Sequence, residues 1–256
     1  MNARGYAKMF ALAAVCALLF ATLAGCSSQA DSDKYALVKE GTLSVGSSLD
    51  TAPFEAVEGG APAGYSIAVI QEVANRLGLA CEVSNANTST IISALSAGQQ
   101  YDVGVASFVI GSKNEEKVDF SLPYYFVDQA IVVLEGTYSQ SEEIKDTKVA
   151  ALSGTASFDY AQEHLTKSLV SYDDIAKCFE VLRAGSVSAI VVDMPIAQRF
   201  IVAYSDCEIL EEIATNDAYG IAVSKDNRTL IDAINEVLRE MESDGTIDAL
   251  QKQYGV

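Results

Sequence analysis

An alternation of short apolar segments with segments of helical periodicity constrains the fold of this chain more than any other feature. In the first half, residues 43–46 and 80–83 have the composition of strands, and apolar residues recur at helical spacing over 66–77 and 89–97. Residues 102–107 are apolar enough for a strand buried on both faces. Strands separated by helices in this way predict an α/β fold with a parallel sheet.

The second half repeats this alternation and ends with a long amphipathic helix and a short final one. We predict strands at 130–134, 148–152, 189–193 and 221–224, and helices at 158–165, 175–184, 195–203, 229–243 and 246–253. Thr88 or Ser89 is the expected cap of the helix at 89–97. The length of 256 residues fits one large domain or two lobes of about 100 residues, each with its own core.

The N-terminus predicts export from the cytosol. Arg4 and Lys8 precede an uncharged apolar run at 9–24, which has the length and flanks of a signal peptide. Small residues then lead directly into Cys26, as in a bacterial lipobox, so we expect a signal peptide at 1–25 and lipidation of Cys26. The alternative is an ordinary signal peptide with an accidental cysteine. The polar residues that follow predict a flexible tether over 26–39.

Composition excludes several classes of function. A net charge of −18 and a pI near 4.3 argue against a nucleic-acid partner, which needs a basic face. The single histidine, His164, excludes sites built from several histidines, and we expect no metal and no cofactor. Beyond Cys26, three cysteines remain: Cys81, Cys178 and Cys207. Cys178 and Cys207 can pair if they lie close together, and the favoured alternative is three buried thiols.

Several strings, taken together and in order, resemble one family. The chain is similar to the extracellular solute-binding proteins of family 3, which serve polar amino-acid ABC importers. The matching strings are LSVG at 43–46, APF at 52–54, GY at 64–65, NRLG at 75–78, ISAL at 92–95, YDV at 101–103, KVDFSLPYY at 117–125, SGT at 153–155, AIVVD at 189–193, YGIAV at 219–223 and DGT at 244–246.

This resemblance implies a two-lobed, type II periplasmic-binding-protein-like fold. Each lobe is expected to be a mostly parallel sheet flanked by helices, with lobe 1 at 40–124 plus 219–256, lobe 2 at 129–215, and crossings near 125–128 and 215–218. It implies a monomer that closes by hinge motion on an amino acid or a derivative in the cleft. An ABC permease is the implied partner, and the lipid anchor places the protein outside the cytosol.

The resemblance also implies roles for individual residues at the ends of strands. Asp193 is expected to receive the α-ammonium group of the ligand, although an acid there also caps a helix well. Thr155 is expected to give backbone and hydroxyl donors to the ligand carboxylate, and it also fits the cap of the next helix. The backbone at Ser107, with neighbouring hydroxyls, is expected to contact the ammonium group. Phe108 is either a cleft wall or a core residue.

Asn114 departs from the family pattern, which places an arginine at this position as a clamp for the α-carboxylate. A neutral amide cannot form that charged fork. Three alternatives follow: an amino acid held by Thr155, helix dipoles and Lys113, a cationic or modified amine without a free carboxylate, or another small polar solute. The remaining ligand-binding candidates are Ser48, Thr51, Thr88 and Ser157.

Two other classes of function compete with solute binding. A few relatives on this fold are dehydratases, but Asp193 alone is thin support for acid–base chemistry, and we expect no enzyme activity. A sensory ectodomain is disfavoured, because such domains generally continue into a membrane helix.

Overall fold

The computed structural model describes residues 34–256, and two five-stranded sheets form its centre. The predicted signal peptide and Cys26 lie outside the described residues. Within the predicted tether, Tyr35 is only 6% exposed and packs into the first core, and the backbone N–H of Val38 donates to Asp102 at 2.7 Å. The segment at 35–39 is therefore bound to the folded body, and the tether prediction is wrong for these residues.

The first sheet combines strands from both ends of the chain. Its order is β4 (Ala80–Asn85), β1 (Thr42–Ser47), β5 (Val103–Gly104), β12 (Ala222–Ser224) and β6 (Val118–Phe120). The β4–β1 and β1–β5 pairs are parallel, and β12 runs antiparallel to both of its neighbours. Four of the five strands therefore point the same way. We call this sheet and its helices lobe 1.

Lobe 1 buries both faces of its sheet. One face packs against α1 (Tyr65–Arg76), α6 (Arg228–Ser243) and α7 (Thr246–Tyr254), and the other packs against α2 (Thr88–Ser96). Side chains of a strand alternate between the two faces, so Val223 lies in the first core and Ala222 in the second. A short hairpin of β2 (Ala56–Glu58) and β3 (Ala61–Ala63) precedes α1.

The second sheet has the order β11 (Cys207–Tyr219), β7 (Tyr125–Leu134), β10 (Ala189–Asp193), β8 (Lys148–Leu152) and β9 (Ser168–Tyr172). β7 runs antiparallel to both of its neighbours, and the other four strands share one direction. The flanking helices are α3 (Ala156–Tyr160), α4 (Ile175–Arg183) and α5 (Met194–Ala203). We call this unit lobe 2. The predicted two-lobed α/β fold with mostly parallel sheets is thus confirmed.

β7 and β11 also connect the two lobes. Their ladder extends to the Tyr125–Tyr219 pair, and beyond it the N–H of Gly220 donates to the carbonyl of Phe108 in lobe 1. The register shifts between Ile213 and Asp217, where three residues of β11 lie opposite Asp128 alone. An irregularity of this kind bends a strand pair.

Five aromatic side chains pack where this ladder enters lobe 1. Their ring centroids lie 5.0–6.3 Å apart, mostly edge to face or tilted, as favoured by aromatic quadrupoles. We call them the hinge aromatic cluster, and its members are Phe54, Tyr65, Tyr124, Tyr125 and Tyr219.

Several predicted elements differ from the observed ones. The strand predicted at 102–107 is only two residues long, Val103–Gly104, and the chain bends at Ala106 and Ser107, where Ser107 has a left-handed φ of 49°. The helix α2 is capped by Asn87, whose side chain accepts from the N–H of Thr90, so both predicted caps are wrong. The helix predicted at 158–165 divides into α3 and a π-helical turn at Ala161–Leu165.

Neither the pairing of cysteines nor a membrane-spanning helix is found among the described residues. Cys81, Cys178 and Cys207 are free thiols, and the last two are buried in lobe 2. Burial raises the pKa of the Cys178 thiol to about 12. Over residues 34–256, the structure contains no helix with the length and apolar character needed to cross a bilayer.

Candidate functional site

A small cavity lies between the lobes at the carboxyl ends of their strands. Its volume is about 20 Å³, enough for about one water molecule. Its polar lining consists of Thr51 and Ser107 from lobe 1 and Thr155, Ser157 and Asp193 from lobe 2. The apolar lining is Ala106, Leu152, Ile175, Val191, Val192 and Ile196. Ligands of open α/β sheets bind at such strand ends, which makes this cavity the candidate site.

Wider depressions elsewhere are weaker candidates. Two of them, of about 390 and 380 Å³, are largely open to solvent on lobe 1 and away from the strand ends that face lobe 2. A third, of about 210 Å³, adjoins the cleft between Lys113 and Asp159. We favour the smaller inter-lobe cavity because polar groups from both lobes converge on it.

Asp193 provides the carboxylate of this cavity. It is the last residue of β10 and is 6% exposed. Its Oδ1 accepts from Nε2 of Gln129 at 2.7 Å and lies 3.3 Å from the oxygen of Ser157, and its Oδ2 accepts from the Tyr219 hydroxyl. Although Asp193 precedes α5, its side chain makes no capping hydrogen bond to that helix. The capping alternative is therefore wrong.

Burial controls the ionisation of Asp193. Desolvation raises its pKa from 3.8 to about 6, and hydrogen bonds from Tyr219 and Gln129 offset part of that rise because they stabilise the charged form. Asp193 is therefore mainly ionised at neutral pH.

The same carboxylate is linked to the crossing strands. Nε2 of Gln129, on β7, also donates to Oδ2 of Asp217 at 3.1 Å, and Asp217 accepts from the Thr215 hydroxyl at 2.8 Å. Thr215 and Asp217 lie at the register shift of β11. A chain of side-chain hydrogen bonds therefore connects the cavity carboxylate to the register shift of β11.

Thr155 and Ser157 lie at the start of α3. Thr155 caps this helix, since its hydroxyl accepts from the N–H of Phe158 at 3.3 Å and donates to the carbonyl of Leu152 at 2.7 Å. The cap predicted for Thr155 is confirmed, while its contact with a ligand remains a prediction. Ser157 donates to Oε1 of Gln129 at 2.6 Å, which places its oxygen beside Asp193.

Sequence reasoning missed Glu55, the second buried carboxylate at the site. Its Oε1 accepts from the N–H of Ser107 at 3.0 Å, and its Oε2 accepts from the Ser107 hydroxyl at 2.9 Å. Glu55 is fully buried, and desolvation raises its pKa to about 7. No signal in the sequence marks this residue, because its partner lies 52 residues away.

The other lobe 1 candidates are placed differently. Ser48 is buried 3.5 Å from the hydroxyl of Thr51, behind the cavity lining. The hydroxyl of Thr88 donates across the cleft to the carbonyl of Ser153 at 2.9 Å. Phe108 is 2% exposed and packs in the core beside α2, so it is a core residue and not a cleft wall.

Asn114 and Lys113 bridge the lobes at the rim of the cleft. The Asn114 amide donates to the carbonyl of Gly154 at 3.1 Å. The ammonium group of Lys113 lies 2.9 Å from Asp159 and 3.3 Å from Glu163, both in lobe 2. Neither residue lines the cavity, so the prediction that Lys113 supplies a charge to a ligand carboxylate finds no support in this geometry.

The described residues offer neither a cluster of metal ligands nor a histidine at this site. Residues 34–256 hold no group of three or more side chains suited to a metal ion. His164 has a side chain that is 60% exposed and lies beside Glu163 on the surface, outside the cavity lining.

Comparisons with known proteins agree on one family. Residues 43–256 match the sequence model of the bacterial extracellular solute-binding proteins, family 3. The L-cystine-binding protein TcyJ of Escherichia coli K12 is 30% identical over 243 residues, which cover 91% of each chain.

Two solved structures extend the comparison to the fold. An ancestral arginine-binding protein bound to arginine is 32% identical, with a TM-score of 0.77 over 84% of this chain and 98% of its own. The ancestral amino-acid-binding protein AncCDT-1, a precursor of cyclohexadienyl dehydratase, is 30% identical, with a TM-score of 0.75 over 84% of this chain and 95% of its own.

Proposed function

The chain belongs to the bacterial extracellular solute-binding proteins of family 3, and from this membership we propose that it captures an amino acid or a close derivative between its lobes for an ABC importer. The single observation that carries this proposal is the buried carboxylate of Asp193, which ends β10 inside an inter-lobe cavity. The related proteins compared above bind cystine and arginine, which both carry an α-ammonium group.

Asp193 is suited to bind that ammonium group. A buried carboxylate gains most from a charge-assisted hydrogen bond when its partner replaces lost water. Two donors reach its oxygens, Gln129 at Oδ1 and Tyr219 at Oδ2, because the one proton of Ser157 is bonded to Oε1 of Gln129. A carboxylate offers about four acceptor positions, so about two are left for ligand N–H groups.

Capture requires the lobes to separate first. A cavity of about 20 Å³ does not admit an amino acid, so entry needs the rim contacts of Thr88, Lys113 and Asn114 to break. The bend in the β7–β11 ladder is suited to absorb this motion as a hinge. Ligand contacts made by both lobes then favour the closed state, because a ligand shifts a conformational equilibrium by its differential affinity.

The proposed setting is the outer face of the cell membrane. We propose lipidation at Cys26, a monomeric state and docking to ABC permease subunits. Mass spectrometry of the protein from bacterial membranes tests the anchor. A diacylglyceryl group on an N-terminal Cys26 is expected, and either an unmodified Cys26 or an uncleaved signal peptide contradicts the proposal.

A second candidate ligand follows from the side chains available to bind a ligand carboxylate. Among the described residues that line the cavity, none is arginine or lysine, and the Asn114 amide is bonded to Gly154. A cationic solute without a free carboxylate therefore fits the same cavity. A dehydratase is not proposed, since Asp193 is the single titratable side chain among those lining residues.

A thermal-shift panel tests the proposed function. The chain with Cys26→Ala, which stays free of lipid, is heated with each amino acid, with small amines and with small peptides. A true ligand at a hundredfold excess over its Kd adds about 2.7 kcal/mol to the free energy of unfolding. Matched panels with Asp193→Asn locate the site, because ligand stabilisation should disappear. Stabilisation that persists in this variant contradicts the proposed site.

A further inference from the structure

The hydroxyl groups on the lobe 1 side of the cavity already donate their single protons within the protein. Thr51 donates to Oδ1 of Asp50 at 3.0 Å, and Ser107 donates to Oε2 of Glu55 at 2.9 Å. A hydroxyl has one proton and two lone pairs. These two oxygens therefore present only lone pairs to a ligand.

The hydroxyl groups on the lobe 2 side of the cavity also present only acceptors to a ligand. The Thr155 hydroxyl donates to the carbonyl of Leu152 at 2.7 Å, and the Ser157 hydroxyl donates to Oε1 of Gln129 at 2.6 Å. Asp193, as an ionised carboxylate, has acceptors only. Among the described residues that line the cavity, no side chain keeps a free N–H or O–H for the ligand.

This polarity does not depend on closure of the lobes. Each of the four hydroxyl groups bonds to an acceptor in its own lobe, so separation of the lobes leaves all four bonds in place. The contacts that cross the cleft belong to other residues, namely Thr88, Lys113 and Asn114. At these four hydroxyl groups, a ligand that enters the open cleft therefore still meets acceptors, and the donors released by opening belong to the rim and not to the cavity lining.

Glu55 holds the Ser107 hydroxyl in the orientation that makes it an acceptor for a ligand. It accepts both the N–H and the hydroxyl of Ser107, while the backbone of Ser107 has a left-handed φ of 49°. Glu55 is fully buried and does not itself line the cavity. It therefore acts on a ligand only through the orientation of Ser107.

We propose that this cavity recognises its solute through N–H donors of a primary ammonium or guanidinium group, that a ligand carboxylate adds no affinity through cavity side chains, and that Glu55 is the positioning residue that makes Ser107 an acceptor. The inference rests on the proposed function and names the substrate class of the same site: cationic, donor-rich amines, with or without a carboxylate.

Matched sets of three probes test the substrate class. The sets are L-arginine, agmatine and 5-guanidinopentanoic acid, then L-cystine, cystamine and 3,3′-dithiodipropionic acid, and finally L-leucine, 3-methylbutylamine and 4-methylpentanoic acid. Within each set, the second compound lacks the carboxylate and the third lacks the α-amine. Binding to the Cys26→Ala chain is measured by calorimetry at about pH 8, where Glu55 is mostly ionised.

We expect, in at least one set, an amine that binds within about threefold of its amino acid. In the cystine or the leucine set, whose acids carry no cationic group, we expect the acid to bind at least about a hundredfold more weakly. An amino acid that binds while its amine does not overturns this inference and leaves the proposed function standing. Failure of all nine probes overturns this inference, and silence of the full thermal-shift panel as well overturns the proposed function.

Glu55→Gln tests the positioning role. The glutamine amide keeps an oxygen for the N–H of Ser107 and sets an N–H₂ donor opposite its hydroxyl, which frees the Ser107 proton for the cavity. We expect the amine to lose at least about tenfold in affinity in Glu55→Gln, and the same change to cost less than about twofold in a Ser107→Ala background. Equal losses in both backgrounds overturn the role.

Asp102→Asn is the matched control for loss of a buried acceptor. Asp102 accepts two backbone N–H groups in lobe 1, from Val38 and Ser44, and does not line the cavity. We expect probe affinities within about twofold of the parent chain. If Glu55→Gln does not fold, Ser107→Ala replaces it, and the three-probe sets are measured in Ser107→Ala and in the parent chain. An amine affinity that is unchanged by Ser107→Ala overturns the assignment of Ser107 as an acceptor.

Discussion

The phenolic hydroxyl of Tyr219 donates a hydrogen bond to Oδ2 of Asp193, which joins the last residue of the crossing strand β11 to the carboxylate of the cavity. Gln129, on the other crossing strand, donates to Oδ1 of the same carboxylate. Both strands that connect the lobes therefore contact Asp193. Under the proposed function, a ligand ammonium group at Asp193 would offset the charge of a carboxylate that both connecting strands contact.

Tyr219→Phe should weaken ligand binding and shift its pH dependence. Loss of this donor destabilises the ionised carboxylate, so the pKa of Asp193 should rise above about 6, and the pH below which affinity falls should rise with it. At pH 7 we expect affinity to fall about three- to tenfold, measured by calorimetry between pH 5 and pH 8. Tyr125→Phe makes the same chemical change in the hinge aromatic cluster at a residue with no bond to Asp193, and its pH profile should match the parent profile.

Asp193→Asn should abolish high-affinity binding and yet stabilise the fold. We expect affinity for an ammonium ligand to fall about a hundredfold. Because the folded pKa is raised from 3.8 to about 6, the charged form costs up to about 3 kcal/mol above pH 6, and the amide avoids that cost. Urea unfolding at pH 8 is the measurement. The exposed acid Asp248 gives the control Asp248→Asn, and a drop in stability for Asp193→Asn alone would contradict the assignment.

Glu55 should make the protein more stable as the pH falls toward 5. A carboxyl whose folded pKa is raised binds more protons in the folded state, so its contribution to the free energy of unfolding is greatest below pH 4.5 and is lost as the pH rises through about 7. The difference in free energy of unfolding between the parent chain and Glu55→Gln should therefore fall by about 3 kcal/mol between pH 4.5 and pH 8. A pH-independent difference, measured by urea unfolding, would show that Glu55 does not titrate in this range.

Lys113→Met should favour separated lobes. Lys113 pairs with Asp159 and Glu163 across the cleft, and these exposed ion pairs are screened by salt. We expect a larger radius of gyration by small-angle X-ray scattering without ligand. We also expect added salt to increase the radius of gyration of the parent chain and to have little effect on that of Lys113→Met. Lys177→Met is the matched control, since Lys177 pairs with Glu180 within a single helix. Equal effects of the two changes would contradict an inter-lobe role for Lys113.

All five polar residues of the cavity lining were among the candidates that the family resemblance implied, and for three of them the ends of the predicted strands agree. Ser107, Thr155 and Asp193 each follow or close a predicted apolar strand, and parallel strands bring their carboxyl ends to one edge of a sheet. Glu55 lies in a loop with no periodicity, and its burial depends on contact with a residue 52 positions away. Local sequence patterns contain no information about such a long-range contact, so Glu55 could not be predicted from them.

The strand β11 was missed for a different physical reason. It lies at the edge of its sheet, carries exposed acids such as Glu211 and Glu212, and is interrupted by the register shift between Ile213 and Asp217. Edge strands are often charged, which masks the alternation expected of a strand. Hydrogen-bond direction was also unpredictable: the sequence suggested Thr155 as a donor to the ligand, and its proton is bonded to Leu152.

The hinge aromatic cluster gives the protein a built-in optical reporter. The chain contains no tryptophan, so tyrosine dominates its near-ultraviolet absorption, fluorescence and circular dichroism. Four of its 12 tyrosines are packed together where β7 and β11 enter lobe 1, and one of them is bonded to Asp193. Separation of the lobes would change the surroundings of Tyr219, which is bonded to lobe 2, so we expect the near-ultraviolet signal of the unlabelled protein to report opening and closing.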